Sequence, residues 1–81
     1  ALFQNTPNPF TDETTIAFYL PRDEAVKINL YTIDGLLIVS ESVQAVSGIN
    51  EWRCNYPLAA GMYVYELQSE NGAKTKQMIK F

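Results

Sequence analysis

The stretch GMYVYELQSENGAKTKQMIKF, residues 61–81, decides the fold. Met62 to Leu67 is an aromatic and apolar run, Ser69-Glu70-Asn71-Gly72 is a polar tip, and Lys74 to Phe81 is a second run. Asn71-Gly72 signals a hairpin, because a type I′ turn needs positive φ at both central residues. The chain is therefore expected to close in a β-ribbon whose final strand carries Lys74, Lys76 and Lys80. Glu66 and Gln68 mark one face of the first strand as solvated, which puts Tyr63, Tyr65 and Leu67 toward a core. Met62 and Val64 leave the opposite assignment open.

Upstream the same period of two recurs. Ile16, Phe18 and Leu20 alternate with Thr15, Ala17 and Tyr19, and Val26, Ile28 and Leu30 alternate with Lys27, Asn29 and Tyr31, as in half-buried strands. Pro21-Arg22-Asp23-Glu24 separates these two runs. Asp34-Gly35 is a second two-residue hairpin signal, leading into a strand from Leu36 to Val43. Gln44 to Gly48 reads as a loop and Ile49 to Cys54 as a short strand with Trp52 as its core anchor. Near the start, Leu2 to Asn5 is a candidate first strand, ended by Thr6-Pro7-Asn8-Pro9. Two prolines there remove backbone donors and fix φ twice, and Phe10 is the expected apolar plug.

No stretch sustains a helical period. Ala59-Ala60, flanked by Pro57 and Gly61, is too short for more than one turn. Six or seven short strands with regular turn signals predict an all-β fold, a small immunoglobulin-like antiparallel β-sandwich of about seven strands.

With 81 residues, 47% hydrophobic and 12% aromatic, the chain is expected to be a single small globular domain. A net charge of −3, with nine acidic and six basic residues, argues against nucleic-acid binding. The single cysteine, Cys54, has no intrachain partner for a disulfide. No run is long and apolar enough to span a bilayer as a helix. The abrupt opening at Ala1-Leu2-Phe3 is compatible with a domain excised from a longer exported precursor.

Catalytic chemistry finds little support. There is no histidine, so the commonest general base and metal ligand are both missing. Cys54 has only Arg53 beside it as an activator and reads as a small apolar side chain. Asp12-Glu13 and Asp23-Glu24 lack the spacing of a calcium loop and sit beside strand ends, where solvated turns belong. The four glycines, Gly35, Gly48, Gly61 and Gly72, are dispersed and look like turn glycines, with no phosphate-binding loop. No cofactor or metal is expected, and no enzymatic activity. Tyr19, Tyr31, Tyr56 and Trp52 suit either ordinary strand packing or sugar stacking, so a carbohydrate- or surface-binding module is the alternative function.

The order of motifs adds a more specific expectation. Leu2-Phe3-Gln4-Asn5 running into Pro7-Asn8-Pro9-Phe10 resembles the opening signature of the type A C-terminal sorting domains of the type IX (Por) secretion system. Leu20-Pro21, Leu30 to Gly35, Gly48-Ile49-Asn50 with Trp52, Leu58 to Tyr63 with Gly61, and the terminal lysine strand are similar to that family's later motifs, in the same order. The resemblance implies the address label of a larger cargo protein in a Bacteroidetes-type bacterium. That cargo would be exported through the periplasm to the cell surface or beyond. Its implied partners are the outer-membrane translocon, a sortase-like component that often cleaves the label, and the N-terminal cargo domain. Lys74, Lys76, Lys80 and Phe81 are the expected recognition residues, with the lysines facing solvent and Ile79 and Phe81 turned inward. The lysines also suit simple protection of a sheet edge. Pro7 and Pro9 serve either fold closure or a rigid junction with the cargo.

Overall fold

A computed structural model describes residues 1–81 and contains six strands and no helix. They are β1 (Thr14–Leu20), β2 (Glu24–Thr32), β3 (Leu37–Ala45), β4 (Gly48–Cys54), β5 (Gly61–Ser69) and β6 (Gly72–Lys80). β1 and β4 pair antiparallel as one sheet, and the other four form a second antiparallel sheet in the order β3-β2-β5-β6. Both sheets contribute to one apolar core. Ile16, Phe18, Leu20, Trp52 and Cys54 come from the small sheet, and Val26, Ile28, Leu30, Tyr63, Tyr65, Leu67 and Met78 from the large one. The alternating residues of β1, β2 and β5 thus bury the faces that their period of two predicts, and Phe10 enters the same core.

There are six strands rather than about seven, because Leu2 to Asn5 does not form a continuous one. It lies beside β1 through isolated antiparallel bridges, Leu2 with Phe18 and Thr6 with Thr15. The four steps from Leu2 to Thr6 span only three from Phe18 to Thr15, so one extra residue interrupts the ladder, as in a β-bulge. That slip turns Asn5 into the interior, where it is buried.

Both hairpin turns differ from the two-residue type I′ geometry. No residue other than glycine has positive φ, so Asn71 and Asp34 are excluded from its central positions. In the last hairpin Ser69 pairs with Gly72, leaving Glu70 and Asn71 as the loop, and the left-handed residue is Gly72 at φ +111°. In the other, Gly35 N–H donates to Thr32 C=O and Thr32 N–H donates to Leu36 C=O, both at 2.9 Å. That is a three-residue loop with Gly35 at φ +90° closing it.

The facing of β6 is the reverse of the expectation. Tyr63 lies opposite Met78, Tyr65 opposite Lys76 and Leu67 opposite Lys74. Directly opposed residues share a face, so once Tyr63 and Tyr65 face the core, the even-numbered residues of β6 do too. Met78 is fully buried, while Phe81 is 69% exposed. Lys74, Lys76 and Lys80 share the parity of Met78. β6 is an edge strand, where a lysine stem can lie on apolar surface with its ammonium in water; Lys76 and Lys80 are half-buried.

Candidate recognition surface

The outer edge of β6 is partly sealed by the start of the chain. Phe10 N–H donates to Ile79 C=O at 3.0 Å and Phe81 N–H donates to Phe10 C=O at 2.9 Å, a short parallel pairing. Asn8 Oδ1 accepts Ile79 N–H at 3.0 Å, and Gln4 Nε2 donates to Gln77 C=O at 2.7 Å. Residues 4–10 thus act as a strap over positions 77–81, leaving Ala73 and Thr75 as the part of that edge without such cover. The Thr6-Pro7 and Asn8-Pro9 peptide bonds are both cis.

Beneath the strap lies a buried polar network. Asn5 N–H donates to the Tyr65 hydroxyl at 2.9 Å, and that hydroxyl donates to Phe3 C=O at 2.7 Å. Asn5 Nδ2 donates to Pro7 C=O and to Thr14 Oγ1, both at 3.1 Å, while Thr14 Oγ1 donates to Pro7 C=O at 2.8 Å. Every member finds a partner, which is the condition for burying polar groups without a large penalty. Burial raises the Tyr65 phenol above its ordinary range, and the Asn5 N–H offsets part of that rise.

The other motif residues also hold the fold together. The Asn50 side chain staples the β3–β4 turn, accepting Val46 N–H at 3.0 Å and donating to Val46 C=O at 2.8 Å. Tyr63 donates its hydroxyl to Ala59 C=O, closing the connection that leads into Gly61. Trp52 is buried and its ring lies 6.0 Å from that of Tyr56, tilted by 33°. Gly35 supplies the left-handed turn already described. Of the expected site residues, Lys74, Lys76, Lys80 and Phe81 alone stand on the C-terminal strand and beyond it, with Phe81 the most exposed large apolar side chain. The sequence reading missed Gln4, Asn5, Thr14 and the Tyr65 hydroxyl. The only sequence signal for them is their position in or against the segment that precedes Phe10.

The remaining candidates are occupied structurally. Asp23 Oδ1 accepts Ser47 N–H at 2.7 Å and Glu24 Oε1 accepts Glu70 N–H at 2.9 Å, so this acidic pair holds turns. No three His, Cys, Asp or Glu side chains converge as a metal site. Cys54 is fully buried and burial pushes its thiol up, away from the thiolate. Tyr31 donates to Glu66 Oε1 at 2.9 Å, where Asn29 Nδ2 also donates at 2.9 Å, and Tyr56 donates to Glu41 Oε2 at 2.9 Å. Neither tyrosine is free to present a bare ring to a sugar without breaking these bonds. No helix is long and apolar enough to cross a membrane.

A family model described as the secretion system C-terminal sorting domain matches residues 6–80. The match spans residues 6–10 of the strap, both sheets and the lysine strand; the chain belongs to this family, the C-terminal sorting domains of type IX secretion. No curated protein and no solved structure matches. Membership makes the chain a sorting signal that acts with the type IX machinery, on a protein exported toward the cell surface or outside. The family is not one of enzymes.

Proposed function

We propose that this domain is the part of a larger precursor by which the outer-membrane translocon recognises and carries an attached cargo protein. In this reading the cargo crosses the inner membrane with its own signal peptide and travels through the periplasm. The domain then engages the translocon, and a sortase-like enzyme cuts near or upstream of Ala1 and attaches the cargo to the surface. The two sheets would face each other as an immunoglobulin-like sandwich, a rigid body independent of whatever is fused to it.

The observation that carries the proposal is the family match over residues 6–80, combined with how the motif residues divide. Those in the middle of the chain build turns and core. The exposed Phe81 and the lysine ammonium groups of β6 are the chemistry left at the C-terminal edge for a partner to read. Because the strap occupies the backbone of residues 77–81, recognition there runs through side chains; strand addition to β6 would be confined to Ala73 and Thr75 unless the strap lifts.

The test is an exported reporter fused to the domain, in a host with type IX secretion. Lys74→Ala, Lys76→Ala and Lys80→Ala are combined with loss of Phe81, and melting is followed in parallel. Surface delivery is expected to fall at least tenfold while the domain stays folded. Undiminished delivery of the folded variant would overturn these residues as the address. The sugar-binding alternative requires glycan binding by the isolated domain that is lost in Tyr31→Ala or Tyr56→Ala.

A further inference from the structure

The two edges of the four-stranded sheet are treated differently. On β6, the bonds from Ile79 to Asn8 and Phe10 show that odd-numbered residues point their backbone groups outward. Hydrogen-bonded pairs alternate strictly in antiparallel ladders. Carried through the registers Tyr63–Met78, Tyr31–Val64 and Leu30–Val39, that alternation turns Ser40, Ser42 and Gln44 of β3 outward. β3 has one strand neighbour, β2. It carries no lysine, arginine or proline, and its one charged residue is Glu41. From Val39 to Ala45 the edge is guarded only by Glu41, which lies opposite the core residue Ile28 and so shares its face. A register shift opposite Leu30 and Tyr31 marks Ile38, where the regular ladder begins.

We infer that β3 pairs with β3 of a second copy of this chain, antiparallel and centred on Ser42, making one continuous eight-stranded sheet. The residue pattern is self-complementary about that axis. Ser42 meets Ser42, and Ser40 meets Gln44 twice, so all three outward-facing residues of each copy exchange both backbone bonds. On the opposite face Glu41 falls beside Val43 rather than beside the other Glu41, which avoids directly opposed like charges. Beyond the paired run, Ile38 of each copy approaches Val46 of the other, and these side chains are 40% and 55% exposed in the single chain. A two-fold arrangement of this kind is closed. The far edges of the doubled sheet are the two β6 strands, where residues 4–10 cover positions 77–81 and leave only Ala73 and Thr75 for further pairing.

Analytical ultracentrifugation of the isolated domain decides the matter. A concentration-dependent species of about twice the 9.2 kDa chain mass is expected. Ser42→Pro removes an outward N–H that no partner within the chain uses, which an edge strand tolerates; it is expected to leave a folded monomer at the same concentrations. Ile38→Lys, which changes no backbone group, is expected to weaken the dimer at least tenfold, and it serves if the proline variant fails to fold. Thr75→Pro, the matching change on β6, is expected to leave the dimer intact. Sedimentation as a monomer up to about 1 mM, or a dimer that survives Ser42→Pro in a folded chain, overturns the inference. So does loss of the dimer in a folded Thr75→Pro variant, which would move the interface to β6.

Discussion

The hydroxyl of Tyr65 accepts the N–H of Asn5 at 2.9 Å, joining residues 60 positions apart in a buried bond. The same hydroxyl donates to Phe3 C=O. One oxygen atom on a central strand thus fixes the bulged start of the chain.

Tyr65→Phe keeps the ring in the core and deletes only that oxygen. It strands a buried donor and leaves Phe3 C=O without its partner. The expected loss is about 1–3 kcal/mol. For a domain of this size that lowers the melting midpoint by roughly 4–8 °C per kcal/mol. Calorimetry measures it directly, and faster protease cutting within residues 1–10 is the expected companion.

Removing the strap's anchors separates two contributions. Phe10→Ala empties a core position and is expected to cost about 3–5 kcal/mol. Asn8→Ala deletes a single side-chain acceptor and should cost about 0.5–1.5 kcal/mol. Its specific mark is faster amide hydrogen exchange at Ile79, with the exchange of Met78, which bonds toward β5, far less changed.

The tyrosines give the domain an alkaline limit. Burial raises Tyr65 and Tyr56, the latter also through its bond to Glu41, and the bond to Glu66 is the largest cause of the rise at Tyr31. In the unfolded chain these phenols ionise near 10, before they do in the native state. Their contribution to stability is therefore intact below about pH 10 and is lost as pH climbs through the native values. Urea midpoints at pH 6 and 7 should nearly coincide, begin to fall by pH 9 as the Cys54 thiol ionises in the unfolded chain, and fall further by pH 11, with a smaller fall in Tyr65→Phe.

Cys54 should report global unfolding. Its side chain has no exposure and burial holds the thiol protonated. Labelling by an aromatic disulfide reagent at pH 8 is expected to be at least a hundredfold slower than in urea-unfolded protein. Reaction at the unfolded rate in native buffer would contradict that burial.

The inward faces of β1, β2 and β5 were legible because one-sided burial leaves a period of two in the sequence. β6 was misread by weighing its own side chains, Ile79 and Phe81 against three lysines. The decisive constraint lay in its partner: any hairpin loop of even length sets odd residues of β5 against even residues of β6, so Tyr63 in the core commits Met78. The strap was only half legible. Pro7, Pro9 and Phe10 announced a rigid segment with an apolar plug, but the bonds from Gln4 and Asn8 reach residues 73 and 71 positions away. Nothing local encodes such distances. The bulge that turns Asn5 inward is likewise a one-residue slip without a sequence mark.

The strap also sets an order of events during synthesis. The β5–β6 hairpin forms from neighbours, whereas Gln4, Asn8 and Phe10 find their acceptors and donors only on residues 77–81. Contacts of such long sequence separation are the slow ones to close. A chain broken off before Gln77 leaves residues 4–10 without this mooring and open to proteases. Residues 4–10 therefore certify that residues 77–81 were made.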